Sequence, residues 1–267
     1  MKKILTIIGL AAVTLAGAQA QIIFYEPFNF TTTDLGTQPG WTNVNTGDTI
    51  GTVAGNLAVS GLASPIGNRV AFDAAGIDSQ RTYTAINTGT VWFSFAFQVT
   101  ALGSLNTTGG YFAGLGASTT LFSSTIWTRS DGVGFDIGVS NNTAVPGTNW
   151  TTGTTAINTT QFVVGNFDLA ADTSAFWINP SSSDFGTLSA PTATFSGLTG
   201  TTRTTLDRFF IRQDGTAATP FVQLDELRVG QDWASVTPVP EPTTSLLIGL
   251  GSAFMLWNLR RRRSITA

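Results

Sequence analysis

Residues 91–99 read Val91-Trp92-Phe93-Ser94-Phe95-Ala96-Phe97-Gln98-Val99. Every odd position is Val or Phe, while the even positions carry Trp, Ser, Ala and Gln. A strand points successive side chains to opposite faces, so this period of two sets one face of the segment into a core. Trp92 then faces away from that core, into a second layer or onto a concave surface. The same period returns in Val133, Phe135, Ile137 and Val139. Between Ile126-Trp127 and that run stands Asp131-Gly132, a pair suited to the positive φ of a tight turn, which predicts a hairpin.

Further strands are expected at Asn56–Ser60, Arg69–Asp73, Tyr111–Leu115, Gln161–Leu169, Ala175–Asn179, Leu206–Arg212 and Phe221–Val229, separated by Thr, Gly, Asn and Ser. In the last of them Val222 and Leu224 share one phase and Leu227 and Val229 the other. A β-bulge at Asp225-Glu226 would return both pairs to the core side. No stretch of the body shows sustained helical periodicity. So many short strands predict an all-β fold, an antiparallel two-sheet sandwich or jelly roll.

Composition narrows the function. Only 11% of residues are charged, well under the roughly 25% of an ordinary soluble domain. Lysine occurs only at Lys2 and Lys3. From Gln21 to Pro238 there are seven Arg against fifteen Asp plus Glu, a net charge of −8. An acidic body without lysine is a poor ligand for phosphate backbones, so nucleic acid is not an expected partner. The chain has no histidine and no cysteine. That removes histidine bases, imidazole and thiolate metal ligands, thiol nucleophiles and disulfides.

The two ends differ from the body. Lys2-Lys3, the apolar run Ile4–Leu15 and the small-x-small pattern Ala18-Gln19-Ala20 read as a secretory signal peptide, residues 1–20, cleaved before Gln21. Export through the Sec translocon follows. At the other end, Thr243–Leu259 is a 17-residue apolar run. As a helix at about 1.5 Å per residue it spans roughly 25 Å, near the lower limit for crossing a bilayer. Arg260, Arg261, Arg262 and Arg263 follow at once and resist translocation, which leaves the body outside. Pro240 and Pro242 flank Glu241 and keep the preceding segment extended.

Val239-Pro240-Glu241-Pro242, the apolar run and the Arg cluster together resemble the PEP-CTERM sorting signal, here residues 238–263. The resemblance implies recognition by exosortase, a membrane-embedded cysteine transpeptidase of Gram-negative bacteria that cleaves near the Pro-Glu-Pro. It implies transient anchoring in the inner membrane with the body in the periplasm, then delivery to the cell surface or extracellular matrix. The body, residues 21–237, carries a second resemblance. It opens with Phe24-Tyr25-Glu26-Pro27-Phe28 and Gly40-Trp41, and closes with Leu224-Asp225-Glu226-Leu227-Arg228-Val229-Gly230-Gln231-Asp232-Trp233. These pieces are similar to concanavalin A-like, LamG-type jelly-roll domains, in which first and last strands usually pair.

Little catalytic chemistry remains. Some enzymes of the concanavalin-like fold use Glu-x-Asp-x-x-Glu, but the nearest stretch here has Gln223 at the first acid and Arg228 at the last. An amide cannot serve as nucleophile or proton donor there. Asp225 and Glu226 are expected to sit at the bulge and pair with Arg228 or solvent. No cofactor is expected. Calcium is the one ion the loops could hold, at Asn166-Phe167-Asp168 with Asp172 or at Asp214-Gly215, although such residues are more often turn formers. Trp41, Trp92, Trp127, Trp150, Trp177 and Trp233 are available to stack on sugar rings, although most tryptophans are core. N-x-[ST] occurs at Asn29, Asn106, Asn141, Asn149 and Asn158. The expected function is a non-enzymatic, structural or adhesive surface or matrix protein. The alternative is a carbohydrate-binding module that holds matrix exopolysaccharide.

Overall fold

The computed structural model describes residues 21–240. Their strands are β1 (Ile22–Glu26), β2 (Trp41–Asn43), β3 (Gly51–Val53), β4 (Arg69–Phe72), β5 (Ser79–Ile86), β6 (Thr90–Ala101), β7 (Gly110–Gly116), β8 (Phe122–Ser130), β9 (Phe135–Ser140), β10 (Gln161–Asp168), β11 (Thr173–Ile178), β12 (Phe195–Leu198), β13 (Leu206–Ile211) and β14 (Phe221–Gly230). One short helix, α1 (Trp233–Val236), follows. The strands form two antiparallel sheets. The larger runs β12-β11-β10-β6-β14-β4-β3 with β1 also on β14, and the smaller runs β2-β5-β13-β7-β8-β9.

The alternation in β6 does what its period demands. Val91, Phe93, Phe95, Phe97 and Val99 are fully buried between the sheets. They meet Phe209 of β13 and Phe112 of β7 from the opposite sheet, with ring centroids 5.6 Å (Phe93–Phe209) and 5.3 Å (Phe97–Phe112) apart. Neighbouring β10 turns Val163 and Phe167 inward and Phe162 and Val164 outward. Gly165 lies on its inward side, where a Cβ would stand 2.4 Å from Cζ of Phe93. Gly165→Ala should therefore overpack the core and cost about 1–3 kcal/mol, read as a lower urea midpoint at unchanged m-value.

The expected bulge is present. β14 pairs with β6 along one edge, and its register shifts between Asp225 and Arg228. On its other edge Val222–Leu224 pair with β4 and Leu227–Gly230 with β1. The extra residue thus falls where β14 exchanges one partner for another, and Glu226 takes φ +55° there. Val222, Leu224, Leu227 and Val229 all reach the inter-sheet core. First and last strands pair, with Phe24 opposite Val229 and Glu26 opposite Leu227.

Two local expectations change, and one strand forms outside the apolar pattern. Asn56–Ser60 is not a strand. The N–H of Leu57 goes instead to the Asp225 carboxylate, 2.7 Å away, so a side chain replaces the ladder. Val133 belongs to the β8–β9 turn rather than to β9 and is 85% exposed. Asp131 builds that turn by accepting from the N–H groups of Val133 and Gly134, and Gly132 supplies φ +93°. Finally β5 forms without an apolar alternation. It places only Tyr83 and Ile86 against the core and is held between β2 and β13.

A second, smaller core lies on the outer face of the larger sheet. Trp92 stacks on Trp177 at 5.1 Å, and Trp233 of α1 meets Trp92 edge-on at 6.1 Å. Phe162, Val164, Phe185, Leu62 and Val236 complete it. Of the two placements open to Trp92, the fold takes the second layer. Among the described residues no helix is long and apolar enough to cross a membrane. The expected signal peptide, residues 1–20, and the expected membrane helix, residues 243–259, lie outside the described residues.

Candidate functional site: the exit of the C-terminal tail

The chain leaves the body over this second core. Asp232 caps α1 through an Oδ1 bond from the Ser235 N–H at 2.7 Å. The helix buries Trp233 and Val236, and the Trp233 indole N–H donates to the Asp184 carbonyl at 2.8 Å. The Ser94 hydroxyl of β6 donates to the Val236 carbonyl at 2.6 Å. Thr237 is fully buried, and its hydroxyl oxygen accepts from the Gly186 N–H at 3.2 Å. The Pro238 carbonyl accepts from the Ala63 N–H at 2.8 Å. Val239 then rests on Gly186, where a Cβ would stand 3.1 Å from its Cγ2; Gly186 also has φ +68°, which favours glycine. Pro240 is exposed.

The body therefore grips its own C-terminal segment through Pro238, and Val239 and Pro240 are exposed. Glu241, Pro242, Arg260, Arg261, Arg262 and Arg263 lie outside the described residues, as do Ala18 and Ala20. Gln21 sits at the same end. Its backbone N–H donates to the second Asp232 oxygen at 2.9 Å, and its carbonyl accepts from the Gln231 N–H. Asp232 thus ties the first described strand to the root of the tail. The receiving groups Ser94, Ala63, Asp184 and Gly186 escaped sequence reading. They come from loops and strands remote in sequence, and only Gly186, a glycine just past a Ser/Asp turn, offered a local hint.

The two glutamates of the body are both spent on internal bonds, Glu26 tying β1 to the smaller sheet and Glu226 tying β14 to β1. Glu26 accepts from the Phe28 N–H at 3.0 Å and the Trp41 indole N–H at 2.9 Å, and pairs with Arg81. Glu226 accepts from the Tyr25 hydroxyl and from Arg228 Nη2, each at 2.7 Å. The Arg228 guanidinium stacks 4.3 Å over the Tyr25 ring. Glu26, Glu226 and Arg228 are all buried. The Tyr25 hydroxyl is pushed well above the ordinary tyrosine value, first by burial and then by its bond to Glu226. Neither glutamate lines one of the clefts described, and Arg228 answers Glu226 as expected.

Asp225 is different. It is fully buried and accepts from the N–H groups of Leu57 and Glu226, each at 2.7 Å. Burial nevertheless pushes its carboxyl up from 3.8 to about 7, and the neighbouring Glu226 charge adds to the rise. The folded state therefore holds this proton more tightly than the unfolded chain. The resulting stability is complete below 3.8 and is lost as pH rises through about 7. The slope is at most about 1.4 kcal/mol per pH unit. Melting temperature should fall as pH rises from 5 to 8, and Asp225→Asn should flatten that slope. An equal slope in both proteins would remove Asp225 as its source.

The other candidates are structural. Asp168 accepts from Ala170 and Ala171 N–H groups, Asp172 from the Arg203 N–H, and Asn166 from the Ala175 N–H. Asp214 pairs with Arg212 at 2.7 Å. Asp168 and Asp172 build the β10–β11 turn, Asn166 bonds across the strand pair and Asp214 is an ion-pair partner; among the described residues no group of three or more His, Cys, Asp or Glu stands together as a metal site. Trp41, Trp127, Trp150, Trp177 and Trp233 are buried and Trp92 is half-buried, so none offers an open platform for a sugar. Trp150 bridges to Gly138 of β9 and lies under the Arg129 guanidinium at 4.3 Å. Asn141 is buried and donates from Nδ2 to Ser174 and Leu198, which blocks glycosylation of the folded chain; Asn29, Asn106 and Asn158 are exposed and Asn149 half-buried.

One open cleft of about 570 Å³ lies where the lateral edges of the two sheets part. Thr151, Thr152, Thr154, Thr155 and Thr194 line it with Gln161, Asn179 and the edge of Trp150. It is neutral and rich in hydroxyl and amide groups.

Residues 238–263 match the family described as the PEP-CTERM protein-sorting motif. No curated protein matches the chain. Among solved structures, the chain is similar to domain 4 of AbnA, a GH43 extracellular arabinanase from Geobacillus stearothermophilus in complex with arabinotriose (TM-score 0.45, 16% identity, 82% of this chain and 97% of that one). It is also similar to Lotus tetragonolobus seed lectin (TM-score 0.44, 9% identity, 75% and 96%). A third similar structure is Trypanosoma rangeli sialidase (TM-score 0.42, 12% identity, 75% of this chain), of which the chain spans 33%. Behind an all-β body of two antiparallel sheets, then, this chain carries at residues 238–263 the PEP-CTERM protein-sorting motif.

Proposed function

We propose that the chain is an exported surface or extracellular-matrix protein that exosortase sorts through residues 238–263. One observation carries this reading: the matched motif begins at Pro238, the last residue the body is seen to hydrogen-bond, and Val239 and Pro240 stand exposed to a processing enzyme. In this reading the protein leaves through the Sec translocon, loses residues 1–20, and is held in the inner membrane by residues 243–259 with Arg260–Arg263 on the cytoplasmic side. Cleavage before Gln21 would turn its N–H into an ammonium facing Asp232, which strengthens the tie to the tail's root. The β-sandwich is a non-catalytic structural or adhesive body. The engagement of Glu26 and Glu226 in buried structural pairs and the lack of His and Cys support that role. Replacing Glu241 with Ala tests the sorting claim: the product should stay at its unprocessed size and remain with the membrane. Unchanged size and delivery would refute it.

The second reading, a binding module for matrix polysaccharide, draws on the neutral cleft beside Trp150. Hydroxyl and amide side chains match the hydrogen-bonding edges of a neutral glycan. A glycan array on residues 21–240, repeated with Thr154→Arg to fill the cleft, separates the two. Binding that the variant loses favours the module; no binding leaves the structural role.

A further inference from the structure

We infer that the loops around the tail's exit form a membrane-facing surface, with Leu188 and Val239 seated in the lipid headgroup layer before processing. The inference rests on the proposed anchoring by residues 243–259. Its basis is a length. From Pro240 to Thr243 there are three steps of chain, which span at most about 10 Å when fully extended. The apolar run has no residues to lend as a spacer, because its 17 residues only just cross a bilayer. The body also holds the chain firmly up to Pro238, through the Thr237 and Pro238 bonds to Gly186 and Ala63. The exit therefore lies against the bilayer surface, and the loops that hold it lie there too.

The side chains at that exit suit a lipid surface. Leu188, two residues past Gly186, is 84% exposed. Val239 itself is 43% exposed. These are two of the large apolar side chains the body leaves in solvent, and Gly186, on which Val239 rests, sets Leu188 beside the point of departure. The body carries seven Arg against fifteen Asp plus Glu, so net attraction to anionic headgroups does not seat it. Apolar insertion is the remaining force, at the depth of about 5–10 Å typical of interfacial side chains. The partner is thus a lipid surface of any headgroup charge.

The chain has no cysteine, so single cysteines report cleanly. Three full-length variants, Leu188→Cys, Val133→Cys and Ser252→Cys, would each carry a polarity-sensitive fluorophore in phosphatidylcholine vesicles with nitroxide-labelled lipids. Val133 is the control on a turn between β8 and β9, far along the smaller sheet. The expected result is strong quenching and a blue shift at positions 188 and 252, with neither at 133. Quenching at 252 alone would overturn the docking surface while the anchor stands. Quenching at none would overturn the anchor, and the docking surface with it. Equal quenching at 133 and 188 would mean non-specific adsorption and would likewise overturn it.

Discussion

Trp233→Ala should lower the stability of the body by about 3–5 kcal/mol, the usual cost of emptying a buried tryptophan site. Trp233 is 2% exposed and joins three sources: α1, the Trp92–Trp177 pair on the larger sheet, and the Asp184 carbonyl. Its loss leaves a cavity rimmed by rings that cannot collapse, since Trp92 and Trp177 are fixed on paired strands. For a body of this size the melting temperature should drop by about 10 °C. The strap should also open. Residues 233–240 should become sensitive to protease at temperatures where the rest of the body resists. Trp233→Phe keeps most of the packing and loses the indole donor, so about 1 kcal/mol is expected. A Trp233→Ala protein with unchanged melting and an uncut strap would show that the second core does not hold the tail's root.

Glu226→Ala should cost about as much, 3–5 kcal/mol, for an electrostatic reason. Arg228 is 4% exposed and its Nη2 ends on the Glu226 carboxylate. Removing that carboxylate leaves a buried guanidinium without a counter-charge and a Tyr25 hydroxyl without an acceptor. Glu226→Ala with Arg228→Leu should regain part of the loss, because deleting both charges removes the unpaired ion. The check is a double-mutant cycle in urea at pH 7. Additive losses would mean that the pair does not hold β1 to β14.

The period of two in β6 and β9 exposed the sandwich in the sequence because those strands put one face in the inter-sheet core. The phase slip in β14 exposed the bulge for the same reason: Val222, Leu224, Leu227 and Val229 all had to face inward. Where tertiary bonds replace periodicity, the sequence is silent. Asn56–Ser60 has the apolar content of a strand, yet the Asp225 carboxylate takes the Leu57 N–H. β5 is a strand with little apolar content, since its neighbours β2 and β13 on either side supply the pairing. At the candidate site, the sorting residues were legible because they are contiguous. The strap that presents them was not, because Ser94, Ala63, Asp184 and Gly186 meet residues 233–239 only through the fold.

The most direct test of the whole account is the intact mass of the protein recovered from the cell surface or matrix. The mature chain is expected to start at Gln21 and to end between Val239 and Pro242, just beyond Pro238, which the Ala63 N–H binds. A mature chain that still carries Thr243–Ala267 would contradict it.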